Sequence, residues 1–253
     1  FIIILLHTIQ LVDIFCCSWN KRTIMKRLIL VRHGESLWNK ENRFTGWEDP
    51  LLSEKGEAEA LCAGKMILQA GLTFDIAYTS MLTRAIQTLH LLEINARLPW
   101  VPELHHWRLN ERHYGALQGL NKAETTETFG AEQVLQWRRS YAIVPPLLEP
   151  SDLRNPSFDR RYVNVDKEAL PLGESLEMTI HRVLPFWQDY IASSLLQNKT
   201  VIVVAHGNSL RALVKYLKKL DDEEIVKLEI PTGIPQLFEL DNSLNTIRSY
   251  YLE

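Results

Sequence analysis

Arg32-His33-Gly34-Glu35-Ser36 follows directly on the apolar run Leu28-Ile29-Leu30-Val31. A short buried strand is expected to end there and hand the chain to a loop carrying an arginine, a histidine and a glycine. A neutral imidazole attacks phosphorus well, and a guanidinium beside it holds phosphate oxygens in a planar fork. Glycine lets the backbone approach an anion closely. The arrangement returns far down the chain, where Thr200-Val201-Ile202-Val203-Val204-Ala205 runs into His206-Gly207-Asn208-Ser209. Two strands that each end in His-Gly predict two imidazoles at one edge of one sheet, a site suited to phosphoryl chemistry.

In open α/β sheets, ligands bind beyond the carboxyl ends of the strands. Thr79-Ser80 closes a third strand-like run, with Arg84 one turn into the following helix. Each piece alone is weak, since His-Gly after a strand is more often a plain turn and an arginine early in a helix is usually solvated. Their convergence gives them weight. Leu109-Asn110-Glu111-Arg112-His113-Tyr114-Gly115 is the next dense segment. Glu111 is its best candidate for proton transfer, against the alternative of a surface carboxylate paired with Arg112. Lys122 and the pair Arg138-Arg139 add cations. They gain meaning with a ligand bearing more than one anionic group, as a phosphorylated carboxylate does. Neither a nucleotide loop ending in Gly-Lys-Ser or Gly-Lys-Thr nor a His-Glu-x-x-His metal motif occurs, so metal-free transfer through phosphohistidine is the consistent reading.

The elements that must position these residues read as strands alternating with helices. Residues 28–31 form the first strand, and Ser53 caps a helix reaching about residue 70, with Ala58, Leu61, Cys62 and Met66 on one face and Gly71 as its stop. Residues 74–79 read as a strand, 81–92 as a helix and 201–205 as a central strand backed by the stripe Leu210, Leu213, Val214 and Leu217. Residues 236–240 and 246–252 read as closing strands around Asp241-Asn242-Ser243. The alternation predicts an α/β three-layer sandwich, a mostly parallel central sheet flanked by helices. The proline-rich stretch from about 141 to 173 lacks periodicity and is expected to cap the site.

With 253 residues, 46% of them hydrophobic, the chain suits one globular domain or two small ones, and a net charge of −3 gives no basic field for nucleic acid. Cys16, Cys17 and Cys62 show no disulfide or zinc spacing, so a reduced, cytoplasmic protein is expected. Residues 1–24 are an apolar extension that does not begin with methionine. A translated upstream region before a true start at Met25 is the expected reading. Asp13 argues against a membrane anchor, and Lys21-Arg22 lie on the wrong side for a signal peptide. Residues 25–253 are expected to form the single catalytic domain.

Several strings closely resemble the cofactor-dependent phosphoglycerate mutases, a branch of the histidine phosphatase superfamily. They are Leu30 to Asn39, Asn42-Arg43-Phe44-Thr45-Gly46-Trp47, Leu109 to Gly119, Gln136-Trp137-Arg138-Arg139, Pro171-Leu172-Gly173-Glu174-Ser175-Leu176 and Ala205 to Ala212. The resemblance implies that His33 is the phosphorylated nucleophile, that Glu111 donates and accepts the proton, and that His206 stabilises the transferring group. It implies that Arg32, Arg84, Ser36, Asn39, Thr45, Gly46, Gly207 and Asn208 bind phosphoryl group or substrate. Tyr114, Lys122, Arg138 and Arg139 then hold the rest of the ligand, with Arg112 and His113 counted beside them. It further implies interconversion of 3-phosphoglycerate and 2-phosphoglycerate, 2,3-bisphosphoglycerate as primer, no metal, no nucleic-acid partner and no membrane partner for the folded domain; such relatives are often homodimers, and the sequence leaves the oligomeric state open. Many members carry a mobile tail beyond the last strand. Here Glu253 closes the sequence, so a raised phosphatase side reaction is expected. A phosphatase or a bisphosphoglycerate synthase relative is the alternative. A non-catalytic phosphate-binding module is disfavoured, because nucleophile and acid are both present.

Overall fold

Leu28 to Val31 is apolar on both faces of a strand, so it belongs in the middle of a sheet covered on both sides. The computed structural model describes residues 25–253 and places it there. The expected reading of residues 1–24 lies outside the described residues. Strand β1 (Lys26–Arg32) is followed by the short helix α1 (Leu37–Lys40), α2 (Glu54–Gln69), β2 (Ile76–Thr79), α3 (Thr83–Ala96) and β3 (Glu103–His105). Then come α4 (Lys122–Phe129), α5 (Ala131–Arg139), α6 (Leu176–Phe186), a π-helical turn over Trp187–Ala192 and α7 (Ser193–Leu196). The chain closes with β4 (Val201–Ala205), α8 (Gly207–Lys218), α9 (Asp222–Lys227), β5 (Gln236–Leu240) and β6 (Thr246–Tyr251).

The strand order is β3-β2-β4-β1-β5-β6. The first four are parallel neighbours, while β5 and β6 run antiparallel. Leu28 and Leu30 pack with α6 and α8 on one face, and Ile29 and Val31 with α2 and α3 on the other. This is the expected three-layer α/β sandwich. Register then sets the site. Arg32 pairs with Ala205 and Thr79 with Val204, so His33, His206 and Ser80 leave three adjacent strands at nearly one level. No helix among the described residues is long and apolar enough to cross a membrane.

Two expectations are corrected here. Helix α2 is capped by Ser53 as expected, but it buries Gly56, Ala60, Ala63, Gly64 and Ile67, leaving Ala58 and Cys62 exposed and Leu61 and Met66 half-buried. The reason is close packing on α3, where a Cβ on Gly64 would stand 2.3 Å from the Leu92 carbonyl oxygen. Small residues, not large ones, make that contact. The stretch from 141 to 173 is irregular, with three 3-10 turns, yet none of its residues lines the cavity that holds His33 and Glu111. It buttresses the far side of the Glu111 segment instead. Tyr162 and Leu170 pack on Trp47 and Trp107, and Arg161 pairs with Asp49 at 2.7 Å.

The loop after β1 lies against the start of α2. A Cβ on Gly34 would stand 2.2 Å from the Gly56 carbonyl oxygen, and one on Gly56 2.0 Å from that of Glu35. Helix propensity alone favours alanine at position 56 by about 1 kcal/mol. Overpacking against backbone costs about 3 kcal/mol. Gly56→Ala is therefore expected to lose roughly 2 kcal/mol of stability in urea unfolding; a gain would show that the approach is looser than described.

Candidate active site

His33 is buried at the tip of β1, 3% exposed. Its backbone N–H donates to the Ala205 carbonyl at 2.9 Å, which ties the β1 and β4 tips together. Its Nδ1 lies 2.6 Å from the Gly34 carbonyl oxygen. A carbonyl only accepts, so Nδ1 carries the hydrogen and Nε2 keeps its lone pair. The Arg84 Nε donor sits 3.4 Å from that Nε2. Burial, then Arg84 and Arg32, hold the imidazole well below its usual pKa, against the opposing pull of the Gly34 carbonyl. The ring is neutral at neutral pH, as a nucleophile must be.

Around it stands a cradle of positive groups. Arg84 is fully buried, and its Nη1 and Nη2 donate to the carbonyls of Glu48 and Gly46, both at 2.8 Å. Carbonyls orient the guanidinium without cancelling its charge. Burial lowers its pKa to about 10, so it stays protonated. Arg32 Nη1 donates to the Ile230 carbonyl at 2.8 Å, and its buried Nε has no partner. The His206 ring lies 4.9 Å from that of His33, centroid to centroid. Its Nε2 is 2.7 Å from Ser80 Oγ, and its buried Nδ1 is unpartnered. Burial first, then Arg84, keeps His206 neutral as well. Gly207 and Asn208 open α8, whose first-turn N–H groups and dipole favour an anion.

Glu111 Oε1 accepts from the backbone N–H of Arg112 at 2.7 Å and of Asn208 at 3.1 Å. The carboxylate therefore bridges the 107–117 segment and α8. A cavity of about 430 Å³ brings His33, Arg32, Arg84, Glu111, Gly207 and Asn208 together. Asn39, Thr45, Gly46, Tyr114, Lys122, Arg138 and Arg139 line it too. His206 stands behind His33 and Ser80 rather than in the wall.

Three expected ligand-binding residues do not line the cavity. Ser36 is spent as the N-cap of α1, accepting from the Asn39 N–H at 3.2 Å. Arg112 is buried and donates through Nη2 to the carbonyls of Trp137 and Arg138, both at 2.9 Å, which closes the end of α5. His113 is buried, with Nδ1 accepting from the Gly115 N–H at 3.0 Å. They shape the wall from behind. Conversely, Arg43, Arg211 and Glu229 line the cavity without having been singled out. Arg211 lies one helical turn after Asn208, to which its Nη1 donates at 3.0 Å, and that spacing was the available signal. Arg139 meets Glu229 at 2.5 Å, an exposed pair.

Residues 28–252 match the histidine phosphatase superfamily (branch 1). The chain belongs to that superfamily. Structures of similar fold include mycobacterial glucosyl-3-phosphoglycerate phosphatase, with 23% identity, TM-score 0.66, and 89% of this chain and 97% of that one covered. The alpha-ribazole phosphatase from Shigella flexneri shows 21% identity, TM-score 0.60, and coverage of 90% and 94%. A phosphoglycerate mutase from Bacillus anthracis str. Sterne shows 20%, 0.63, and 91% and 95%. At these identities the likeness establishes the fold. Membership of the histidine phosphatase superfamily supports an enzyme of phosphoryl chemistry.

Neutral buried histidines in this superfamily member have a cost in acid. His33, His206 and His113 all titrate below the ordinary imidazole value, His113 at about 3, in each case chiefly through burial. The unfolded chain then binds more protons than the folded one once pH drops below about 6.5. Stability is complete above that pH and is lost as pH falls toward the folded values. At about pH 5 His113 alone costs about 2 kcal/mol, and His33 and His206 act in the same direction. Urea midpoints are therefore expected to drop steeply from about pH 7 to about pH 5; a flat profile would contradict the buried neutral rings.

Proposed function

We propose that this chain is a 2,3-bisphosphoglycerate-dependent phosphoglycerate mutase, interconverting 3-phosphoglycerate and 2-phosphoglycerate through phosphorylated His33. One observation carries the reading. The cavity continues past the Arg32, His33 and Arg84 cradle to further cations, Arg43, Lys122, Arg138 and Arg139. A phosphomonoester alone needs only the cradle. The outer cations suit a second anionic group, carboxylate or phosphate, on the same small ligand. The residues also fit a doubly phosphorylated primer. Arg32 Nε and Thr45 Oγ1 are buried without partners, and Arg32, Arg84, Lys122 and Arg138 have no carboxylate ion pair among the described residues.

When bound, 2,3-bisphosphoglycerate supplies the phosphoryl group that charges the enzyme. His33 Nε2 takes that group as its bond to the ligand oxygen breaks, and Glu111 gives the departing oxygen a proton. In the reverse transfer, Glu111 takes the proton from the attacking substrate hydroxyl and the N–P bond breaks. Arg32, Arg84 and the start of α8 hold the equatorial oxygens throughout, with His206 and Ser80 backing His33, so catalysis is positioning and electrostatics. The outer cations keep the ligand from leaving while it turns to present its other phosphoryl group to His33.

The mycobacterial glucosyl-3-phosphoglycerate phosphatase is described in complex with VO3 and with inorganic phosphate. That supports reading the cradle as a phosphoryl site, and it keeps a phosphatase as the second reading. The ratio of isomerisation to phosphate release from 3-phosphoglycerate, with and without 2,3-bisphosphoglycerate, separates the two. Primer-dependent isomerisation is expected to dominate. Brisk release with no isomerisation would move the assignment to a phosphatase.

A further inference from the structure

Glu111 sits on a segment with no long regular element, between the 3-10 turns Trp107–Leu109 and Gly115–Leu117. A loop carboxylate is only as well placed as the backbone under it. Here the carbonyls of that backbone converge on one guanidinium, that of Arg182 in α6. Its Nη1 donates to the carbonyls of Trp107 at 3.2 Å, Arg108 at 2.7 Å and Asn110 at 3.3 Å. Its Nη2 donates to those of Asn110 at 3.3 Å and Glu111 itself at 3.2 Å. Arg182 is held in turn by Glu174, with Nε to Oε1 at 2.7 Å and Nη2 to Oε2 at 2.9 Å. Glu174 closes the loop on the far side of the acid. Its Oε2 accepts from the His113 N–H at 2.8 Å, and its own N–H donates to the His113 carbonyl at 2.8 Å.

The two side chains are 5% and 3% exposed, and neither residue lines the cavity. Neither touches a ligand there. A buried ion pair is weak evidence for stability, because apolar side chains of similar volume often serve as well. What apolar packing cannot supply is directional donors to several buried carbonyls at once. We propose that Glu174 and Arg182 are positioning residues for Glu111, fixing the backbone on both sides of it so that its carboxylate meets the leaving oxygen. The inference rests on the acid–base role given to Glu111 above. Trp47 assists, its indole Nε1 donating to the Glu111 carbonyl at 2.6 Å.

The test exploits leaving-group chemistry. p-Nitrophenyl phosphate expels a stable anion and needs little help from an acid, whereas 2,3-bisphosphoglycerate expels an alkoxide and needs a proton. In both cases kcat/KM for phosphoryl transfer to His33 reports the step in which the leaving group departs. Glu174→Gln and Arg182→Lys are expected to lower kcat/KM for phosphorylation of His33 by 2,3-bisphosphoglycerate about 10–100-fold, as misplacement of a catalytic group by about 1 Å does. For p-nitrophenyl phosphate the expected loss is under about 3-fold, since acid catalysis contributes little there. Equal losses on both substrates, or none on either, would overturn the inference. Trp47→Phe keeps an aromatic ring in the cluster with Trp107 and Tyr162 while removing the indole donor, so it serves where the ion-pair variants fail to fold. It is expected to show the same selectivity at smaller size, and equal losses from it count against the inference as well. Glu111→Gln is measured alongside. If that variant does not discriminate between the substrates, the role of Glu111 itself is what fails.

Discussion

Replacing His33 with alanine is expected to lower turnover by roughly four to six orders of magnitude, the scale seen when a covalent nucleophile is removed. The expectation follows from the ring's surroundings. Its Nδ1 is committed to the Gly34 carbonyl, and its Nε2 faces Arg84. Burial keeps it neutral. Among the described residues no other histidine lines the cavity, and His206 is engaged with Ser80. The cradle of Arg32 and Arg84 survives the substitution, so ligand binding should weaken far less than turnover. Mass spectrometry at neutral or alkaline pH, after exposure to 2,3-bisphosphoglycerate, should find a phosphoryl group on the intact protein and none on the variant. Turnover retained by the variant would mean that the phosphoryl group passes directly between ligands or to water.

The gathering of His33, His206, Ser80 and Arg84 was legible in the sequence because it is set by strand register. Two apolar strands that each end in His-Gly, once paired in parallel with Arg32 opposite Ala205, have no freedom to place their imidazoles apart. The third strand brings Ser80 and Arg84 by the same logic. Contacts that depend on a partner's shape were not legible. The buried face of α2 is made of glycine and alanine because α3 comes close, and a pattern that seeks large apolar residues picks the wrong side. The three-residue strand β3 is too short to carry a period. The stretch from 141 to 173 looks like a cap because it is irregular, but Tyr162 and Leu170 find their partners in Trp47 and Trp107, far away in sequence. A resemblance carried by whole strings cannot separate residues that face the cavity from those that support it. Ser36, Arg112 and His113 belong to the second kind, as do Glu174 and Arg182.

Glu111→Gln tests the proton step with the least disturbance of structure. The Glu111 Oε1 accepts from two backbone N–H groups. A glutamine carbonyl oxygen can accept the same two bonds, so the side chain keeps its place between the Asn110–Tyr114 segment and α8. What is lost is the ability to give and take a proton. Acid–base catalysis contributes about 10²–10⁴-fold. The variant is therefore expected to lose about that much in kcat/KM for His33 phosphorylation by 2,3-bisphosphoglycerate, where an alkoxide must be protonated as it leaves. With p-nitrophenyl phosphate the loss should be small, because its leaving group departs as a stable anion. The two substrates share the cradle, so a damaged cradle would slow both. Divergence between them isolates the proton from the electrostatics. If both fall together, the charge of the Glu111 carboxylate rather than its proton is what transfer requires, and the proton must come from elsewhere.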